Sequence, residues 1–225
     1  MIFNDHVLFI HAPKTAGMSV SHYLLSHLEG DIYITAPAGH EKENSGRVHV
    51  LEGMRHEWLH KAAEILKPHG RSVESFQRII SAIRNPYDLE VSRFHYLRLG
   101  HPYDAGYAQE LALTGNFKEF CKSAPYVGRN PSNVAAWYIL GQRLLPSMRI
   151  VRVENLERGL ADALSGFVSG HVELPRINVT AHEPYERYID AEVEEYIYRK
   201  YKWIFDTGFY PRHECPPQSA EKAVA

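Results

Sequence analysis

A fold of the α/β class, three layers with a mostly parallel central sheet flanked by helices, is what this sequence predicts, and three observations carry it. Short apolar runs at Val7–His11, Arg78–Arg84 and Met148–Val153 have the length and composition of strands buried on both faces. Stretches of helical periodicity alternate with them, the pattern that puts parallel strands under covering helices. At 225 residues, 44% hydrophobic and 23% charged, the chain can bury a sizeable core as one ordinary globular domain.

The elements follow in order. After the first run, Val20, Leu24, Leu25 and Leu28 mark one helical face that Gly30 ends. Asp31–Thr35 alternates as a strand, residues 36–47 form a polar loop, and Val48–Leu51 is a short strand. His56–Lys67 reads as a helix stopped by Pro68 and Gly70. The strand ending at Arg84 leads through Asn85-Pro86 into a helix over Asp88–Leu99. Residues 100–130 read as loop around a short Phe117–Lys122 helix. Pro131–Leu140 is predicted helical, then the Met148–Val153 strand, a helix over Asn155–Val168, and a last long helix over Ala191–Tyr201. Residues 1–210 are read as a single domain, and the tail from 211 to 225, which lacks an apolar period, as disordered.

A net charge of −2 advertises no basic field for nucleic acid. The two cysteines, Cys121 and Cys215, lie far apart and outside any metal-ligand spacing, which suits reduced thiols. The first residues lack a basic stretch, and the run Val7–Ile10 is too short for a signal core or a membrane span. The expectation is a cytoplasmic protein with no membrane span. Oligomeric state is not readable.

Two segments fall at the carboxyl ends of predicted parallel strands, where α/β sheets bind ligands. The first is Pro13-Lys14-Thr15-Ala16-Gly17-Met18-Ser19, between a strand and a helix. Such a turn aims backbone N–H groups outward at a helix N-terminus, which suits an anion. Gly17 permits close backbone approach, Ser19 suits a helix cap or a phosphate contact, and Lys14 brings a full charge. The arrangement is P-loop-like, yet the Walker pattern is absent because the lysine precedes the glycine.

The second segment is Arg84-Asn85-Pro86-Tyr87-Asp88-Leu89-Glu90-Val91-Ser92. Arg84 offers a planar fork to a phosphate, and Ser92 adds a hydroxyl from the next helix. Together the two segments resemble the phosphate-binding motifs of sulfotransferases that use 3′-phosphoadenosine 5′-phosphosulfate (PAPS). The likeness is greatest to the carbohydrate-type group that includes the heparan sulfate 2-O-sulfotransferases. Phe117-Lys118-Glu119-Phe120, Val153-Glu154-Asn155-Leu156, Leu174-Pro175-Arg176-Ile177-Asn178-Val179-Thr180 and Tyr201-Lys202-Trp203-Ile204-Phe205-Asp206 follow in the family's order. Leu89 stands where relatives often carry arginine.

The resemblance implies that Lys14, Thr15, Ala16, Gly17, Met18 and Ser19 hold the 5′-phosphosulfate, and that Arg84 and Ser92 hold the 3′-phosphate. It implies PAPS as sulfuryl donor, PAP as product, no metal, and a hydroxyl-bearing acceptor, most naturally a saccharide or glycoconjugate. Phe94, His95, Tyr96, His101, Tyr103 and Tyr107 are aromatics suited either to stacking on a sugar ring or to the core. In similar proteins a histidine before the 3′-phosphate strand acts as base; His56 fits best here, with His60 and His49 as alternatives.

The same residues support rival readings. His56-Glu57-Trp58-Leu59-His60 matches H-E-x-x-H, which on a helix sets two imidazoles on one face for zinc with Glu57 as base. Arg55 and Lys61 crowd that match with positive charge, and Ala63 and Leu66 stand where a longer zinc-protease pattern has glycine and histidine. A P-loop nucleotide kinase and a nucleotide-binding module without catalysis complete the alternatives.

Overall fold

Apolar runs too short for a helix and too greasy for the surface pair into one six-stranded sheet. In the computed structural model, which describes residues 1–39, 46–101, 106–126, 133–169, 171–175, 177 and 180–215, the strands are β1 (Ile2–Phe3), β2 (Val7–Ile10), β3 (Ile32–Ala36), β4 (Val48–Glu52), β5 (Arg78–Ile83) and β6 (Met148–Arg152). Their order is β4-β3-β1-β2-β5-β6. β2 runs parallel to β5 from Val7↔Arg78 to Ile10↔Ser81, and β5 runs parallel to β6 from Ile79↔Met148 to Ile83↔Arg152. β3 and β4 are parallel too, while β1 is antiparallel to both neighbours. Five strands thus share one direction, as the sequence predicts. β1 was not foreseen, because two residues cannot display a period.

Contacts divide the chain into two units, Met1–Asn85 with Tyr126–Thr180, and Pro86–Pro125 with Ala181–Ala225. The first holds the sheet with helices α1 (Gly17–His27), α2 (Leu59–Leu66) and, taken out of order, α6 (Leu156–Leu164). Val20, Tyr23, Leu24 and Leu28 pack with Leu160, Ala163 and Leu164 over Val7, Phe9, Ile80 and Val151. Leu8, Ile10 and Ile79 are equally buried, so both faces of the sheet are covered. Each such leucine or isoleucine contributes about 1.5–3 kcal/mol by leaving water. The parallel pairing of β2, β5 and β6 brings their carboxyl ends to one edge, which receives residues 11, 84 and 153.

The second unit is helical: α3 (Pro86–Leu97), α4 (Tyr107–Thr114), α5 (Phe117–Ser123), α7 (Ala191–Lys200) and α8 (Lys202–Asp206). Pro86 opens α3, where its missing N–H costs nothing. Asn116 caps α5 by accepting from the Glu119 N–H at 3.0 Å, and Asp190 caps α7 by accepting from Glu192 and Val193. α4 corrects the reading of residues 100–130 as mainly loop. Its Ala, Leu, Gln and Glu are good helix formers, and the glycines at 106 and 115 bracket them. The helix expected over Pro131–Leu140 is reduced to a single 3₁₀ turn at Val134–Trp137 in the first unit, with residues 131 and 132 outside the described set.

Residues 211–215 are held rather than loose. Arg212 pairs with Glu194 and Glu195, and the His213 N–H donates to the Tyr87 hydroxyl at 2.9 Å. Residues 216–225 lie outside the described residues. Among the described residues no helix is long and apolar enough to cross a membrane.

Inside the second unit Glu90 is fully buried and anchors α3 to α7. It accepts from the Tyr201 hydroxyl, from Lys200 at 3.3 Å and from Arg93 at 3.4 Å. Burial pushes its carboxyl up, but Lys200, Arg93 and Tyr201 outweigh that and hold it below the usual range. Removing the carboxylate strands two buried cations. Glu90→Ala is therefore expected to lower unfolding free energy by about 3 kcal/mol in a urea titration, and Glu90→Gln by less.

Candidate anion-binding site

The segment after β2 turns sharply enough to leave ordinary backbone space. Lys14 has φ 63° and Ala16 φ 58°, and they are the two non-glycine residues with positive φ among the described residues. Left-handed backbone costs an L-residue about 1–2 kcal/mol each, and such strain gathers where function requires it. Left-handed residues set among right-handed ones turn successive backbone N–H groups into a concave nest for an anion. α1 begins at once, with Ala16 as its cap and no side chain satisfying the first amides. Those free donors add the positive end of the helix dipole.

Several expectations about this loop change in detail. Thr15 is buried, and its hydroxyl donates to the Ala12 carbonyl at 2.8 Å, so it closes the turn. Ser19 is buried in the first turn of α1 and is not the cap, since the helix starts two residues earlier. Gly17 does permit a close approach, but by another residue: a Cβ there would overlap the ring of His11. Met18 is half-buried, and its sulfur receives an N–H from Arg55 at 3.0 Å.

Arg84 lies immediately beyond β5, next to β2, and its guanidinium donates to the Lys14 carbonyl at 3.3 Å. Asn85 is fixed beside it by its N–H to Glu154 at 3.0 Å. Arg84 and the loop are thus brought together within the first unit. Ser92 belongs to the second unit, buried on α3.

His56 is not on a helix. α2 begins at Leu59, three residues later than the periodicity suggests, because Trp58 is extended (φ −79°, ψ 166°). The imidazole Nδ1 lies 2.9 Å from the His11 carbonyl, which can only accept. That fixes the proton on Nδ1 and leaves the Nε2 lone pair available. Burial lowers the His56 pKa; the bond to His11 opposes this, while the charges of Arg55 and Lys14 push the same way as burial. His56 is thus neutral at neutral pH, as a general base must be.

The alternatives lose their geometry. His60 is exposed on α2 and pairs with Glu64 at 3.3 Å, while Glu57 is buried and accepts the Met54 N–H. With the helix starting after His56, the two histidines of H-E-x-x-H do not share a helical face, and no metal-binding group of His, Cys, Asp or Glu occurs among the described residues. His49, near the start of β4, sits 3.3 Å from Asp31, at the opposite end of its strand from the ligand edge. Of the aromatics, Phe94 is core, packed on Phe117 and Phe120. Tyr107 is 58% exposed, Tyr96 and His101 lie side by side, and His95 meets the Tyr188 hydroxyl at 2.9 Å. Tyr103, Arg176, Asn178 and Val179 lie outside the described residues.

Two residues of the site were missed in the sequence. His11 directly follows β2, 4% exposed, its ring 4.3 Å from that of His56 and its Nδ1 without a hydrogen-bond partner among the described residues. Burial first, then the His56 charge, hold its pKa well below the ordinary value. A polar residue closing a wholly apolar strand was the available signal. Arg55 stands beside His56 in sequence, but only the fold carries it to Met18.

No known family pattern and no curated protein matches the sequence. A solved structure, mouse sulfotransferase SULT7A1 complexed with PAP, is similar at a TM-score of 0.46 and 12% identity, over 87% of this chain and 83% of that one. At that level the likeness carries no assignment by itself.

Gly17→Ala is expected to destabilise by about 1–3 kcal/mol, and adding His11→Ala to recover part of that loss, as read by thermal unfolding of the single and double variants. The histidines also set a pH dependence. Both bind protons less readily folded than unfolded, so stability is full above the ordinary value near 6.5 and is lost as pH falls below it. The melting temperature should drop between neutral pH and pH of about 5, with a shallower slope in the double variant.

Proposed function

We propose that the chain is a sulfotransferase that transfers the sulfuryl group of PAPS to a hydroxyl acceptor by in-line displacement. One observation carries this reading: the strained loop at Lys14–Gly17, with its free helix amides, lies under the guanidinium of Arg84. That the two segments, far apart in sequence, both follow strands at one carboxyl edge of a parallel sheet supports reading them as phosphate-binding. The backbone of residues 14–19 would hold the 5′-phosphosulfate, and Arg84 the 3′-phosphate. The sequence resemblance adds Ser92 to the latter.

The chemistry needs few parts. The acceptor oxygen attacks sulfur as the bond from sulfur to the bridging phosphate oxygen breaks, and PAP leaves with the negative charge. The acceptor proton passes to Nε2 of His56, the nitrogen left unprotonated by the bond to His11. Lys14 is suited to the charge that grows on the leaving oxygen, in a site where positioning and electrostatics supply the catalysis. No step requires a metal.

A sugar hydroxyl is the proposed acceptor, on the resemblance to carbohydrate-type enzymes. A reducing compartment, the cytoplasm, is proposed on the two free cysteines Cys121 and Cys215.

Calorimetric titration with adenosine 3′,5′-bisphosphate tests the reading. Micromolar binding is expected without Mg²⁺, weakened about tenfold or more by Arg84→Ala. A folded protein that binds ATP with Mg²⁺ and ignores the bisphosphate would sink it. For turnover, Lys14→Ala and His56→Ala should each cut kcat by about 100-fold with little effect on melting. Protonated His56 cannot accept a proton, so activity should fall on the acid side, with a midpoint below the ordinary 6.5.

A further inference from the structure

The outer edge of the sheet carries a feature that sulfuryl transfer does not use. β6 is the last strand, and among the described residues no strand pairs with its outer side. An unpaired edge presents a row of backbone donors and acceptors to any extended chain. Beside it lies a groove of about 530 Å³ with one wall made by residues 149–152. Successive strand residues face opposite ways, so four in a row mean that the groove meets the strand at its edge.

The other wall is a stripe on α6: Asn155, Arg158, Gly159 and Asp162. That spacing is one helical face. A side chain at Gly159 would collide with Val151, so glycine is what lets the helix close on the strand. An edge strand facing a helix across a groove is the geometry by which extended peptides add to a sheet.

Charge selects among peptides. Arg149, Arg152 and Arg158 line the groove against one carboxylate, Asp162. Arg149 is held by carbonyls alone in its hydrogen bonds, those of Pro146 and Met148 at 2.8 and 2.9 Å. Of the carboxylates at the start of α6, Glu157 accepts from the Leu174 N–H at 3.0 Å. Burial first, then the Arg149 charge, disfavour the charge of neighbouring Arg78, whose Nε has no hydrogen-bond partner among the described residues.

We propose that the groove between β6 and α6 binds an acidic extended peptide segment, which adds to β6 as a further strand while its carboxylates meet Arg149 and Arg158. This docking site stands independently of sulfuryl transfer. It would dock an acidic partner protein.

Fluorescence anisotropy on the full chain tests it, with a labelled short peptide alternating glutamate and valine, at low salt. Dissociation constants on the order of 10 µM are expected, weakened about tenfold by Arg158→Glu and by N-methylation of alternate peptide amides. Arg158 is exposed, so its variant should melt normally and keep its affinity for adenosine 3′,5′-bisphosphate. Equal binding of the N-methylated peptide would overturn strand addition and leave only charge attraction. Equal binding of a lysine-for-glutamate peptide, no binding of the acidic peptide, or binding of a heparin oligosaccharide in its place would overturn the proposal as well.

Discussion

The imidazole of His11 pressed against the backbone of Gly17 is the contact on which the site is built. Because no Cβ fits between them, α1 can start directly over the end of β2 instead of swinging clear of it. The chain has only residues 12–16 in which to make that return, and the cost appears as left-handed backbone at Lys14 and Ala16. Tertiary packing compensates for the local strain: β2 is fully buried, and α1 is fixed by its apolar face in the core. The same His11 supplies the carbonyl that orients His56. One residue therefore shapes the anion nest and sets the tautomer of the neighbouring imidazole.

Positive charge collects around this contact from three directions. Lys14 comes from the loop, Arg84 from the end of the neighbouring strand, and Arg55 from the segment before α2. Their effect on the histidines is consistent with that field, since Arg55 helps depress both. A site that keeps imidazoles neutral by burial and nearby cations is prepared for an anion and for proton acceptance together. Neither property requires the protein's net charge to be basic, and it is −2.

How much of this was legible follows from the kind of signal each part carries. Strands β2, β5 and β6 are legible as apolar runs, and the strand–loop–helix order places the two candidate segments, residues 13–19 and 84–92, directly after β2 and β5. Short or competing signals were lost. β1 has two residues, and α4 lies in a stretch full of turn formers. The helix after His56 was started too early because Trp58 fits the periodicity yet takes an extended backbone. Contacts between distant segments were invisible altogether: nothing in the sequence sets Arg55 against Met18 or the His11 ring under Gly17. The Thr15 hydroxyl is a further case, since its donation to the Ala12 carbonyl depends on a turn that the sequence does not display.

The two-residue antiparallel strand β1 has a consequence for how the sheet assembles. It joins β2 through a turn of three residues, so that hairpin closes locally, and it is also the only described link between the β3–β4 pair and the rest. The β2–β5 pairing instead brings together segments roughly 70 residues apart, and the loop entropy must be met before any contact rewards it. The carbonyl of Lys14 receives Arg84 only when β5 has arrived. The Lys14–Arg84 contact is thus completed only through a long-range pairing, and a ligand that bridges the two residues would stabilise that pairing by mass action.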